Sequence, residues 1–333
     1  MLGEHARTIA FPKASILQRQ KGRDMAATPP AILAVGAIMV DLVCHMPRLP
    51  QSGEGAVAES VRARVGGCAF NSANVIRQLG APHTLFAPVG EGIFAGFVER
   101  ELRARGLDAF RAPARSDGAV FDSGGCVCLV EPDGERTMLT LPGIDRQFER
   151  SWFDALDPSR FGYGLASGYE IEGAGGDAII SFFEDHAGIQ LYYAPGPRIL
   201  GVGPEKTSRI NALNPVWHLN DQEALAYTGC SSLEEAGFAI AHECGNAAVI
   251  TAGAAGASVF ADGVCATVPT EQVDVVDSIG AGDAHLGALI AARAAGRPWE
   301  DALAVANRVA AAVCQVEGGV LDDGAFAKLG VRV

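Results

Sequence analysis

Asp277-Ser278-Ile279-Gly280-Ala281-Gly282-Asp283 leads directly into an apolar stretch, residues 284–295, that reads as a helix. Gly280 and Gly282 let the backbone turn tightly and bring its amides close to a ligand. The helix that follows presents unpaired N–H groups and the positive end of its dipole. Together these features make a seat for phosphate oxygens. Asp283 stands at that seat. A carboxylate there either caps the helix or accepts the proton of an attacking hydroxyl, as a base does in phosphoryl transfer. A glycine-rich turn before a helix is a weak signal alone. The G-x-x-x-x-G-K-S/T phosphate loop is absent, and Gly36 after the first strand has no G-x-G-x-x-G around it. The seat lies late in the chain.

Outward from it the chain alternates strands and helices. Residues 31–40 form a nearly continuous apolar run, the mark of a strand buried on both faces, with Asp41 at its carboxyl end. Residues 46–65 are irregular and polar, and Gly66-Gly67 then opens a helix over 69–79 closed by Gly80. Residues 84–89 read as a strand and 94–105 as an amphipathic helix. Residues 120–130 and 136–141 flank Pro132-Asp133-Gly134-Glu135, which predicts a hairpin. Strands follow at 163–166, 189–193 and 248–251, helices at 176–186, 223–228, 233–243 and 299–316, and a second hairpin turns at Ala261-Asp262-Gly263. This rhythm predicts an α/β fold with a mostly parallel central sheet and helices on both faces. Segments 44–65 and 109–141 interrupt it and are expected to form a lid. Residues 30–333 are expected to be one domain, and 1–29 a disordered extension.

The chain has 333 residues, 49% hydrophobic and 20% charged, enough for a large core. A formal net charge of -13 argues against a nucleic-acid surface, which needs a basic stripe. The eight cysteines form no C-x-x-C pair, and the histidines do not cluster with them. Free thiols in a reducing, cytoplasmic protein are expected. No stretch reaches the roughly 18 apolar residues of a membrane span. The first 24 residues carry Arg7, Lys13, Arg19, Lys21 and Arg23 with no apolar run behind them, which is no signal peptide. A dispensable tail is expected, as from an over-long start with Met25 the true first residue, with a transit peptide as the alternative.

Several motifs, taken in order, resemble one family. Residues 277–283 resemble the D-T-x-G-A-G-D signature of the ribokinase-like (PfkB) carbohydrate kinases. Gly66-Gly67-Cys68-Ala69-Phe70-Asn71 is similar to their G-G-x-x-x-N segment, Asn220-Asp221-Gln222-Glu223 to their N-x-x-E motif, and Thr251-Ala252-Gly253-Ala254-Ala255-Gly256 to their T-x-G-x-x-G loop. The resemblance spans residues 31–322. It implies a three-layer ribokinase-like sandwich with a small β lid, and an ATP- and magnesium-dependent kinase for a sugar-like hydroxyl. By it Asp283 is the general base, and the amides of Gly280, Ala281, Gly282 and Asp283 form the anion hole. Asp41, Gly67 and Asn71 bind substrate. Asn220 and Glu223 organise magnesium and phosphate through water; Thr251, Gly253 and Gly256 line the nucleotide site, with Asn307 beside the adenine. Asp277 and Ile279 offer oxygens to a monovalent cation such as potassium. A homodimer through the lid is implied for some members.

Each position also has a structural alternative: Asp41 as a turn cap, Asn71 and the Asn220/Glu223 pair as helix stabilisers, Asn307 as a core amide. Departures leave the substrate open. Ser278 replaces threonine, Gly90-Glu91-Gly92 has glutamate for aspartate, and His285 stands where an aromatic is common. Residues 194–198 resemble the P-x-P-x-R region only loosely. A nucleoside kinase of the same family is the close rival, with Phe70, Phe121 or Tyr169 to stack a base. A non-catalytic sugar or nucleotide sensor is the rival from another class.

Overall fold

Apolar runs too short for helices become strands that share hydrogen bonds side by side. The computed structural model describes residues 30–113 and 117–333, so the expected extension over 1–29 lies outside the described residues. The first apolar run makes two strands. β1 (Ala31–Val35) joins a large sheet, the chain breaks at residues 36–38, and β2 (Met39–His45) continues in a second sheet. Glu170 holds the break: its carboxylate accepts from the Ala37 amide at 3.0 Å, taking a donor that a continued ladder would have used. Asp41 therefore lies within the second sheet instead of at the tip of the first.

The chain goes on through β3 (Ser60–Gly66), α1 (Cys68–Gln78), β4 (His83–Phe86), β5 (Pro88–Val89), α2 (Ile93–Ala104), β6 (Phe110–Arg111), β7 (Gly124–Val130) and β8 (Arg136–Leu141). After several 3-10 turns come β9 (Phe161–Ser167), α3 (Gly168–Glu172), α4 (Gly176–Asp185), β10 (Gln190–Ala194), α5 (Pro204–Ala212), β11 (Val216–Asn220), α6 (Asp221–Thr228) and α7 (Leu233–Cys244). Then follow β12 (Ala248–Thr251), β13 (Ala257–Ala261), β14 (Val264–Val268), α8 (Ala281–Ala294), α9 (Trp299–Val313) and α10 (Asp323–Lys328).

The large sheet has eight strands in the order β14-β13-β12-β11-β10-β9-β1-β4. It is parallel from β12 to β4, with β13 and β14 forming the antiparallel edge hairpin. Successive residues of β1 serve opposite cores. Ile32 and Ala34 pack with α1, α2, α8 and α9, while Leu33 and Val35 pack with α4 and α7. The result is the three-layer α/β sandwich with a largely parallel sheet that the sequence predicts.

The second sheet has four strands ordered β3-β2-β7-β8, parallel only between β2 and β7. Its boundaries differ from the expected 44–65 and 109–141. The sheet begins at Met39, and residues 110–111 pair with β5 in a separate two-stranded ribbon. Residues 120–123 do not extend β7, because Asp122 turns to accept from the Phe94 and Ala95 amides at 3.0 and 2.8 Å, capping α2. The expected strand 84–89 divides into β4 and β5, and α9 stops at Val313 instead of 316. β11 was not foreseen, its short run being broken by the polar but buried His218.

Candidate functional site

α8 starts at Ala281 with Gly280 as its N-cap, at φ +73 and with no side-chain cap. A Cβ on Gly280 would lie 2.3 Å from the Gly319 Cα, so sterics and the left-handed backbone both require glycine. The Ala284 amide donates to the Gly280 carbonyl at 2.8 Å, closing the first turn. The amides of Gly282 and Asp283, earlier in that turn, have no carbonyl behind them in the helix. A Cβ on Gly282 would meet nothing within 4 Å, so this end of the helix faces open space. α6 begins differently. Asn220 Oδ1 accepts from the Glu223 amide at 2.7 Å while Glu223 Oε2 accepts from the Asn220 amide at 3.0 Å, a reciprocal capping box.

Two helices and the second sheet converge on the uncapped end of α8. Asn71 Nδ2 donates to Asp283 Oδ2 at 2.9 Å, and Ser72 Oγ to the Asp283 carbonyl at 2.9 Å. Asn71 Oδ1 is buried and has no partner, an orphan acceptor beside the carboxylate. Burial pushes the Asp283 pKa up, and hydrogen bonds from Asn71 and Cys68 pull it back. Asp41 faces it from β2. Burial, and then the charge of Asp283, push the Asp41 carboxyl up to about 6. A Cβ on Gly66 would lie 2.2 Å from Asp41 Oδ2, and one on Gly67, at φ +107, would lie 2.6 Å from the Ala37 carbonyl. The glycine pair shapes the floor beneath Asp41 and gives α1 its start.

Sequence reasoning assigned no role to Cys68 or Arg198. The Cys68 thiol bonds Asp283, and burial drives its pKa well above the ordinary value. Tyr169 senses Cys68, Arg198 and Asp283, its pKa pushed up to about 12 mainly by burial, and the Arg198 guanidinium lies 5.2 Å over its ring. Cys68 sits inside the G-G-x-x-x-N segment, a signal that was legible. Of the aromatic candidates, Phe70 is 0% exposed and belongs to the core, and Phe121 packs against the cluster on the other face of the sheet. Tyr169 is the one near Asp283.

In the loop expected to line the nucleotide, Thr251 ends β12 and its Oγ1 donates to the Leu219 carbonyl at 3.3 Å. Gly253 and Gly256 take φ +52 and +92, and a Cβ on Gly256 would lie 2.2 Å from the Val268 carbonyl. Gln272 Nε2 donates to the Ala254 carbonyl at 3.0 Å, joining this loop to the segment that leads into the seat. Asn307 lines a cavity of about 400 Å³ with Pro269, Thr270, Glu271, Val305 and Arg308. Its side chain is satisfied internally. Nδ2 donates to the Val268 and Pro269 carbonyls at 2.8 and 3.3 Å, and Oδ1 lies 3.2 Å from His285 Nε2.

His285 is thereby part of a buried chain, with His218 Nε2 2.9 Å from its Nδ1. Because the Asn307 amide group is committed to two carbonyls, Oδ1 must accept, so His285 Nε2 carries a proton. His285 Nδ1 then accepts, and His218 Nε2 donates. Burial lowers His285 to about 4 and His218 well below its ordinary value, so both rings are neutral. This chain ties β11, α8 and α9 to the edge hairpin behind the seat.

The metal expectations fare unequally. Among the described residues no group of three His, Cys, Asp or Glu side chains gathers. Glu223 keeps one carboxylate oxygen outside its capping box, and burial raises its pKa. That donor suits magnesium, which keeps much of its water and leans on phosphates. The Asp277 carboxylate, expected to face a monovalent cation with Ile279, is engaged by protein donors on both oxygens. Its Oδ1 accepts from Arg136 Nη1 at 2.8 Å and from the Ile279 amide at 2.9 Å, and its Oδ2 from the Gly318 amide at 3.0 Å. Burial works to raise this carboxyl, yet those bonds outweigh it and hold the pKa low.

Known proteins resemble this chain in sequence and fold. The pattern described as pfkB family carbohydrate kinase matches residues 30–163 and 204–323. The chain is 29% identical over 296 residues to the uncharacterised sugar kinase YegV of Escherichia coli (strain K12), covering 88% of this chain and 91% of that one. It is 26% identical over 270 residues to a ribokinase of Mus musculus, over 78% and 80% of the two chains. A probable sugar kinase from Rhizobium etli has the same fold, with a TM-score of 0.75 at 22% identity over 91% of this chain and 99% of that one. An Arabidopsis thaliana ribokinase, solved with ribose and ATP, gives a TM-score of 0.69 at 18% identity over 90% and 98%. No helix among the described residues is long and apolar enough to cross a membrane.

Proposed function

The chain belongs to the pfkB family of carbohydrate kinases, ATP-dependent enzymes that phosphorylate a sugar hydroxyl, and we propose that Asp283 is its general base. The amides of residues 280–283 hold the migrating phosphoryl group. The observation that carries this reading is Asp283 fixed at an uncapped helix end by Asn71, whose other side-chain atom is an orphan acceptor. A substrate hydroxyl placed there satisfies Asn71 and faces the carboxylate.

In the step, Asp283 removes the acceptor hydroxyl's proton as its oxygen forms a bond to the terminal phosphorus. The bond from that phosphorus to the bridging oxygen breaks, and the electron pair leaves with ADP. A positioned base contributes about 10²–10⁴ in rate, and one preorganised anion-hole donor about 10²–10³. Asp41 and Asn71 bind further hydroxyls. The loop of Thr251, Gly253 and Gly256 seats the nucleotide, and Asn307 supports that seat from behind. Asn220 and Glu223 would hold magnesium through water, and the metal, when bound, would neutralise phosphate charge. Residues 30–333 act as one kinase domain, and the four-stranded sheet is its lid, excluding water from the transfer.

Of the three aromatic residues that could stack a base, Phe70 lies in the core and Phe121 across the sheet, which supports a sugar; Tyr169, beside Asp283, is the one left to serve a nucleoside. An ADP-release assay over a panel of sugars and nucleosides tests this. Turnover with sugars or polyols well above nucleosides is expected; the reverse order would sink the sugar reading. ATP binding without turnover on any acceptor would favour the non-catalytic alternative. Val61 and Leu139, each 60% exposed, and Met138, 56% exposed, lie on the edge strands of the lid and support its pairing with a second copy. Light scattering should then give a dimer, and a monomer at assay concentration would remove that part.

A further inference from the structure

Three guanidinium groups of the lid meet the rim of the phosphate seat. Arg136 at the start of β8 reaches Asp277, and Arg62 and Arg64 on β3 reach the Glu317 carboxylate, Arg64 at 2.8 Å. Arg64 also donates to the Glu317 carbonyl and lies against Gly318, where a Cβ would come 2.4 Å from its Nη1. The nearby Cys314 carbonyl accepts from the Val276 and Asp277 amides at 2.8 and 3.1 Å. Both carboxylate oxygens of Asp277 and the Cys314 carbonyl, which a large monovalent ion would use here, already face protein donors. One of those donors carries a full positive charge.

Asp277 is no ordinary surface acid. Its side chain is 13% exposed and that of Arg136 28%, so the pair is screened less than an open surface pair. The same carboxylate that accepts from Arg136 accepts from the Ile279 amide, one residue before the Gly280 turn. Its second oxygen accepts from Gly318, whose neighbour Gly319 is the backbone against which Gly280 packs. Without a positive partner, Asp277 would be a half-buried charge at the foot of the anion hole, repelling the phosphoryl oxygens that the hole receives.

We propose that Arg136 is the resident cation of this seat: a positioning residue on the lid that holds Asp277, and through it residues 279–280, so that the enzyme needs no monovalent metal ion. Arg136 touches neither substrate nor nucleotide. It makes the shape of the anion hole depend on the lid being down, joining closure to competence. This inference rests on the kinase reading for its activity arm alone.

The experiment compares wild type, Arg136→Ala and Arg136→Lys, with tetramethylammonium or potassium chloride at equal ionic strength. Wild-type turnover is expected to be the same in both salts. Arg136→Ala should lose about tenfold or more in turnover, regain part of it on addition of potassium or guanidinium, and keep its nucleotide affinity. Arg136→Lys should retain most activity. Melting temperatures give a readout independent of catalysis: potassium should shift that of Arg136→Ala and not that of wild type. Severalfold potassium activation of wild type, or an Arg136→Ala enzyme as fast as wild type in tetramethylammonium, overturns the proposal. If no variant phosphorylates any acceptor, the kinase reading fails while the melting comparison still decides the role of Arg136.

Discussion

The tip of α8 and the lid sheet stand on two sides of one cleft and are held in shape by different means. At the helix tip the backbone does it: Gly280 at φ +73 presses on Gly319, Asn71 and Ser72 tie down Asp283, and alanines and a glycine let α1 and α8 approach so closely that a Cβ on Gly287 would lie 2.5 Å from the Ser72 carbonyl. The lid reaches the body through long side chains, Arg62 and Arg64 to Glu317 and Arg136 to Asp277. It also leaves Val61, Met138 and Leu139 exposed. Backbone geometry admits little adjustment; an exposed pair such as Arg62 with Glu317 forms and parts at small cost, while the more deeply set pair of Arg136 and Asp277 resists it more. In the proposed mechanism proton transfer rests on the first kind of structure, and Asp41 meets the substrate from the second.

Three variants bear on that division. The largest effect belongs to the rigid side. Asp283→Asn should lower turnover at least about 10²-fold with ATP affinity nearly unchanged, as steady-state rates and a nucleotide titration would show. A loss no greater than that of a lid variant would erase the distinction between the two regions.

Asp41→Asn tests the lid side of the cleft. The expected effect is a rise of about tenfold in KM for the acceptor, with a smaller change in kcat. Its pH behaviour is more telling. With the Asp41 carboxyl pushed up to about 6, wild-type kcat/KM should fall as pH drops through that value, whereas the variant's acid limb should move lower because Asp283 then titrates without a charged neighbour. Stability runs the other way. A carboxyl whose folded pKa is raised holds its proton more tightly in the folded state, so its penalty is absent in acid and is complete once pH has risen through about 6. The variant should therefore melt above wild type at pH 8, by on the order of 1 kcal/mol, and converge with it only below about pH 4, the ordinary carboxylate value. Equal melting curves at both pH values would mean that neither burial nor the charge of Asp283 raises the Asp41 carboxyl.

The smallest effect on catalysis is expected behind the seat. His285→Phe leaves His218 Nε2 and Asn307 Oδ1 without partners in the core, which should destabilise the fold by about 1–3 kcal/mol for each. Its catalytic mark should be confined to a severalfold rise in KM for ATP. A larger loss in kcat than in nucleotide affinity would place His285 in the chemistry instead.

The helix tip was legible in the sequence because its constraints are local. A left-handed cap, an uncapped helix start and an acid in its first turn all fall within seven consecutive residues, 277–283. The lid was legible only as an interruption. Its central pairing joins Asp41 to Cys126, far apart in the chain, and nothing in either segment encodes that register. The division of the first apolar run between two sheets depends on Glu170, more than a hundred residues downstream, and hydrophobicity alone continues without a break. Arg136 looked like one more polar residue after a turn, since its partner lies 141 positions away. Asn307 was assigned to the adenine because the resemblance gives a position and not a hydrogen-bond inventory, and only the coordinates show its amide already engaged.

That division of one run between two sheets has a mechanical side. The lid is rooted in β1, an interior strand of the sandwich next to its β4 edge, and that attachment is three residues, 36–38, clamped where Glu170 grips the Ala37 amide. Such a root works like the heel of a lever: the outer edge can swing while the heel stays set in masonry. A nick in the outer loop between β2 and β3 would then release no fragment, because each cut end remains woven into the four-stranded sheet, and the cleaved protein should keep its native melting behaviour.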